Sequence, residues 1–150
     1  YLSNYKRQKI YEVSYPRNKY FEQICKYLKK NRGICILIDY GYNEKIKNFT
    51  LQAIYNHKKT SIFDNLGQQD ISSHVNFKEL IEIAKQNKLK INEFISQRDF
   101  LIKYGILERK KKLLNKNSNL KKNLINDEVD RLINSDRMGK LFKCLVVSNL

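Results

Sequence analysis

The chain is short of the residues that punctuate or cross-link a fold. Its 150 residues include one proline, five glycines, three cysteines and no tryptophan. The glycines, at 33, 41, 67, 105 and 139, lie too far apart for any two to share one loop, which excludes a phosphate-cradling turn. Cys25, Cys35 and Cys144 are odd in number, sit in apolar contexts and lack metal-ligand spacing. They read as reduced core thiols of a cytosol-like compartment. No apolar run approaches the ~20 residues that span a bilayer, and no signal-peptide pattern opens the chain. The reading is therefore cytoplasmic, with no membrane partner. Two histidines without a neighbouring carboxylate cluster argue against a metal site. A start at Tyr1 rather than Met fits a processed chain or a piece of a longer one.

Acidic residues are scarce too: 15 Asp and Glu stand against 30 Lys and Arg, a net charge of +15. Such an excess invites a nucleic-acid reading. Two observations oppose it. Lys, Asn and Ile number 23, 17 and 17, and all three have A/T-rich codons, so genome composition accounts for much of the excess. The cations are also scattered, apart from Arg109 to Lys112, which fall in the last turns of an expected helix where they complement its dipole. Specific nucleic-acid binding needs a clustered footprint.

What is present is a buried strand. Ile34 to Ile38 are five consecutive apolar residues without alternation, bounded by Gly33 and by Asp39-Tyr40-Gly41. A run this short and β-branched suits a central parallel strand buried on both faces, with Asp39 and Tyr40 at its carboxyl edge, where ligands bind in such sheets. A helix from about Pro16 to Arg32 precedes it, with Tyr20, Phe21, Ile24, Cys25 and Leu28 on one face. From Gly41 to Val75 neither period dominates, and a long functional loop is expected.

Asn76 with Glu79 reads as a capping box opening a helix to about Asn87. Residues Leu89 to Ile95 alternate as a half-buried strand should. A helix from about Gln97 to Leu114 is interrupted by Gly105. A further helix after Ser118 should turn Leu120, Leu124, Val129 and Leu132 inward, and Leu141 to Val147 reads as a last strand. Three strands with four helices leave a sheet incomplete, because a central strand needs backbone partners on both sides.

Several ordered motifs run along the chain: Glu12-Val-Ser, Ile38-Asp-Tyr-Gly41, Thr50-Leu-Gln-Ala53 with His57, and Asp70-Ile-Ser-Ser-His-Val-Asn-Phe77. They continue with Gln97 and Asp99-Phe-Leu101, Gly105-Ile106 with Glu108-Arg109, and Met138-Gly-Lys-Leu-Phe-Lys143. Together they closely resemble the carboxyl-terminal half of the MidA family, S-adenosylmethionine-dependent methyltransferases that include the mitochondrial complex I assembly factor. One departure is Tyr15, which stands between the Ser of Glu-x-Ser and Pro16, where the family usually has the proline directly.

The resemblance implies an α/β fold, the carboxyl-terminal part of a class I (Rossmann-like) methyltransferase carrying its fifth to seventh strands, the seventh reversed. Residues 1–150 would then be a partial domain. The glycine-rich cofactor loop would lie upstream, so S-adenosylmethionine belongs to the complete enzyme and none is expected on this chain alone. The implied partners are a separately encoded amino-terminal half and a protein substrate such as a respiratory complex I subunit, in the mitochondrial matrix if the source is eukaryotic.

If the substrate is arginine, carboxylates must grip its planar guanidinium. Asp39 and Asp70 are the acidic candidates, and His57 and His74 could relay a proton or orient a carboxylate. Each has a plainer alternative: Asp39 capping a turn at the end of a plain core strand, Asp70 capping a turn with Ser72 and Ser73, His74 as a satisfied core histidine, His57 as solvated surface. Two other functional readings stand beside the enzyme fragment. One is a non-catalytic remnant of a split or decayed gene, the other a small basic nucleic-acid-binding domain.

Overall fold

A single proline does useful work at the start of the first helix, where its missing N–H is one no helix can use. In the computed structural model, which describes residues 11–44 and 46–150, Pro16 sits in the first turn of α1 (Tyr15–Lys30). The start at Tyr1 lies outside the described residues. α1 buries Asn18, Phe21, Cys25 and Leu28, a helical spacing, and ends where the Asn31 N–H closes on the Tyr27 carbonyl. Gly33 then leads into β1 (Ile34–Tyr42), as the apolar run predicts.

The principal sheet has the order β5-β1-β7-β6, built from β5 (Val75–Asn76), β6 (Lys90–Ser96) and β7 (Phe142–Ser148) around β1. β7 is antiparallel to both neighbours, pairing Ile34 to Tyr40 with Ser148 to Phe142 on one side and Lys90 to Ser96 with Ser148 to Lys143 on the other. The last strand is thus reversed, as the resemblance implies, and it lies between β1 and β6. On its other side β1 is paired only at Gly41 and Tyr42, to β5. From Ile34 to Tyr40 that edge has no strand partner among the described residues.

α1 and α2 (Phe77–Gln86) cover one face, packing Phe21, Cys25, Leu28, Phe77 and Leu80 against Leu145 and Val147, with Cys35 and Leu37 joining from β1. The opposite face is buried at Cys144 and Val146 but not on β1, where Ile34, Ile36 and Ile38 are 54%, 52% and 44% exposed. The expectation of a strand buried on both faces is therefore corrected: the helices of the described residues reach β7 on this face and leave the isoleucines of β1 open.

One expectation holds and one changes. Gly105 adopts φ 90°, a left-handed conformation available to glycine, and the interruption expected there separates α3 (Gln97–Lys103) from α4 (Ile106–Lys116). In α5 (Asn119–Ile133) only Val129 is buried, while Leu120 and Leu124 are exposed because α5 lies on α3 and α4 rather than on the sheet. α6 (Met138–Leu141) leads into β7.

The three thiols are unpaired, and Cys25 and Cys144 are completely buried. Burial pushes each from its ordinary 9.0 up to about 11, with Cys35 and Glu22 adding to the effect on Cys25 and Glu93 to that on Cys144. Above pH 9 the unfolded chain sheds these protons while the folded chain keeps them, so stability present below pH 9 is lost as pH rises toward 11. Urea midpoints should be level up to pH 9 and fall beyond it, less steeply in Cys144→Ala; an unchanged slope in that variant would contradict the assignment.

Candidate functional site at the carboxyl edge of β1

The region after β1 is not a plain loop. It forms a three-stranded antiparallel sheet of order β3-β2-β4, from β2 (Gln52–Tyr55), β3 (Lys58–Thr60) and β4 (Asp70–Ser72). β2 and β3 are joined by Asn56 and His57, at φ 47° and 62°. Two successive left-handed residues are what a two-residue hairpin turn of the primed type requires, and asparagine tolerates the first position well.

The chain returns from this sheet to β1 through His74, Val75 and Asn76, and here the motifs converge. The half-buried Glu12 carboxylate accepts from the Thr50 N–H at 2.6 Å, the Leu51 N–H at 3.2 Å and the Thr50 hydroxyl. The Thr50 hydroxyl in turn accepts from the His74 N–H at 2.9 Å. The His74 ring meets Tyr40 edge-on at 5.3 Å between centroids, and Tyr40 meets Phe142 in the same way at 5.5 Å. Glu12, Thr50, His74 and Tyr40 are distant in sequence and adjoin at the end of β1.

Asp39 belongs to this group. It is half-buried beside Tyr40, and its Oδ1 accepts the Tyr40 N–H at 2.8 Å, which leaves its second oxygen for another donor. His57 and Asp70 are not brought there. His57 is exposed at the hairpin tip, and Asp70 is exposed in β4 opposite Ile54. Neither shares a hydrogen bond or ring contact with Asp39 or His74 among the described residues.

Beneath this edge lies a polar cluster that sequence reasoning assigned differently. Asn76 precedes α2, but its side chain makes no capping bond. Glu79 is instead 2% exposed and accepts from Arg17 Nη2 at 2.6 Å and Asn18 Nδ2 at 2.8 Å. Arg17 also donates from Nε and Nη2 to the Asn18 side-chain oxygen, Oδ1. Burial pushes the Tyr42 phenol up to about 12, with the Glu12 and Glu79 carboxylates adding to this and Arg17 opposing it, so Tyr42 remains a donor throughout the physiological range. The available signal for Glu79 was its position among Phe77, Leu80 and Ile83, a carboxylate on the apolar face of an amphipathic helix.

The glycine at this edge does not open onto a ligand. A Cβ at Gly41 would collide with the Val75 carbonyl and lie 2.7 Å from the Phe77 ring, so its space is filled by the chain itself. A Cβ at Gly139 would meet the carbonyls of Ile133 and Asn134. At both positions the space is taken by the described residues themselves. Among them there is also no group of three residues able to hold a metal ion, and no helix long and apolar enough to cross a membrane.

Comparison with known proteins places this architecture. The chain is 27% identical over 129 residues to the mitochondrial protein arginine methyltransferase NDUFAF7 of Danio rerio, covering 85% of this chain and 30% of that protein. It is 32% identical over 82 residues to the NDUFAF7 homolog of Caenorhabditis elegans, covering 55% and 19%. Among solved structures, a COG1565 superfamily protein from Burkholderia thailandensis matches with a TM-score of 0.81 at 25% identity, over 91% of this chain and 38% of that one. A COG1565 superfamily member from the same organism, bound to S-adenosyl-homocysteine, matches with a TM-score of 0.75 at 25% identity, over 88% and 35%. The chain thus spans less than two fifths of each relative's length. Residues 1–95 match the family model described as an S-adenosyl-L-methionine-dependent methyltransferase, and with more than half its length so matched, the chain belongs to that family.

Proposed function

We propose that these residues are the carboxyl-terminal part of an S-adenosylmethionine-dependent protein arginine methyltransferase, expected from the resemblance as its second half and covering less than two fifths of its relatives, completed by an amino-terminal part that carries the cofactor site. The observation that carries this reading is the open side of β1. A central strand leaves its N–H and C=O groups unsatisfied when one edge is bare, and three isoleucines on one face remain in water. A parallel strand with a covering helix from the other half would satisfy both. The reversed β7 between β1 and β6 agrees with the fifth, seventh and sixth strands of such a fold.

On this reading the cofactor, held by the other half, supplies the methyl group, and the residues described here serve the substrate. Asp39 has a carboxylate oxygen free to accept from a guanidinium N–H. His74, whose N–H is held by Thr50 and whose ring meets Tyr40, the next residue along β1, is the proton-handling candidate at the same strand end. Asp70 and His57 are assigned to the rim, on the small sheet. The names of the relatives favour a protein arginine as substrate, and the family resemblance extends this to a respiratory complex I subunit in the mitochondrial matrix of a eukaryotic source.

Co-expression with the product of the frame immediately upstream tests the proposal. The pair should bind S-adenosylmethionine and methylate protein arginine, while this chain alone should bind none. Ile36→Lys should abolish the pairing yet leave the circular dichroism of the isolated chain unchanged, because Ile36 is exposed there. Saturable cofactor binding by the isolated chain would refute the division of labour. Absence of transfer from any such pair would favour the decayed remnant.

A further inference from the structure

The break at Gly105 changes the setting of the basic cluster. Arg109 to Lys112 fall in the first two turns of α4 rather than in the last turns of a longer helix. They are the fourth to seventh of its eleven residues, essentially past the first turn and short of the last, so the helix dipole no longer favours them. The ion pairs of the described residues, Arg17–Glu79, Lys26–Glu22, Lys103–Glu93 and Arg137–Asp130, engage none of them. Neither the dipole nor an internal carboxylate accounts for the row.

Arg109, Lys112 and Lys116 share one side of α4 and, with Gly105, Glu108 and Leu113, line a groove of about 280 Å³. Its place in the fold is also informative. β6 ends at Ser96 opposite Lys143, and β7 begins at Phe142 opposite Tyr40. The helical insertion that bears the groove therefore leaves and re-enters the sheet at the edge occupied by Asp39.

We infer that this groove docks an acidic segment of the protein substrate, away from the arginine to be modified. The inference rests on the protein-substrate reading above and adds the chemistry by which that substrate is selected. An acidic peptide suits the lining better than a nucleic acid does. Glu108 would oppose the uniform charge of a phosphate backbone, whereas a peptide can alternate carboxylates with neutral residues that accommodate Glu108 and Leu113.

A short fluorescein-labelled peptide of alternating Glu and Ala, titrated against the full chain by fluorescence anisotropy, tests the site. The triple variant Arg109→Glu, Lys112→Glu, Lys116→Glu should weaken binding at least about tenfold. The matched variant Lys19→Glu, Lys78→Glu, Lys85→Glu, on α1 and α2, changes net charge equally and should weaken it less than about twofold. All six side chains are exposed, so both variants should keep the parent's circular dichroism. Equal weakening by the two variants would reduce the effect to net charge and overturn the inference. So would tighter binding of a single-stranded RNA of equal charge through the same three cations. Because this readout involves no methyl transfer, failure of the transfer assay alone would count against the proposed function and not against the groove.

Discussion

Glu79→Ala is expected to lower stability by about 3 kcal/mol, and to lower the urea midpoint by roughly 1 M or more. Glu79 is 2% exposed and balances Arg17, whose side chain is 23% exposed, through a 2.6 Å contact. Removing one member of a buried pair strands the other, at a cost of about 3–5 kcal/mol when both are fully enclosed. The partial exposure of Arg17 sets the expectation at the lower end. The Asn18 amide would also lose its acceptor. Glu79→Gln keeps an acceptor for Asn18 and should cost less. The exposed Glu82 is the reference, and a Glu79→Ala loss no larger than that of Glu82→Ala would mean that the cluster does not hold α1 to α2.

Gly41→Ala should cost about as much through a different mechanism. Gly41 is buried where β1 meets β5, and an added Cβ would face the Val75 carbonyl and the Phe77 ring together. Overpacking of this kind costs about 1–3 kcal/mol, and two neighbours fixed by the sheet and the core place it near the upper limit. The substitution should also part β5 from β1, loosening His74 from Tyr40 and lowering any methyl transfer by the assembled enzyme. Gly67→Ala provides the comparison, since Gly67 has φ 78° but open space around it and should lose only about 1 kcal/mol. Equal losses at the two positions would show that backbone conformation, not crowding, explains Gly41.

The elements legible from sequence were those whose signal is local. Ile34 to Ile38, the alternation after Leu89 and the terminal apolar run each became a strand of the principal sheet, and Pro16 with Gly33 bracketed α1. Within the candidate site, Asp39 and His74 were named from motifs, and both stand at the edge of β1. The small sheet was not legible. Its strands are three or four residues long, too short to establish a period, and its hairpin turn uses Asn56 and His57 without a glycine. Glu79 was misread because the local pattern suggested a capping box, whereas its partners Arg17 and Asn18 lie in another helix. Leu120 and Leu124 followed helical spacing, yet spacing alone cannot say whether a neighbouring surface exists to cover them.

The position of β7 governs when this fold can form. Its residues Leu145 and Val147 are completely buried, and it stands between two strands that precede it in the chain. During synthesis on the ribosome, β1 and β6 emerge long before the segment that joins them, so the nascent sheet has no centre until Phe142–Ser148 has left the exit tunnel. Pairings so distant in sequence close slowly, so the apolar residues of the waiting strands stay exposed until the last strand arrives.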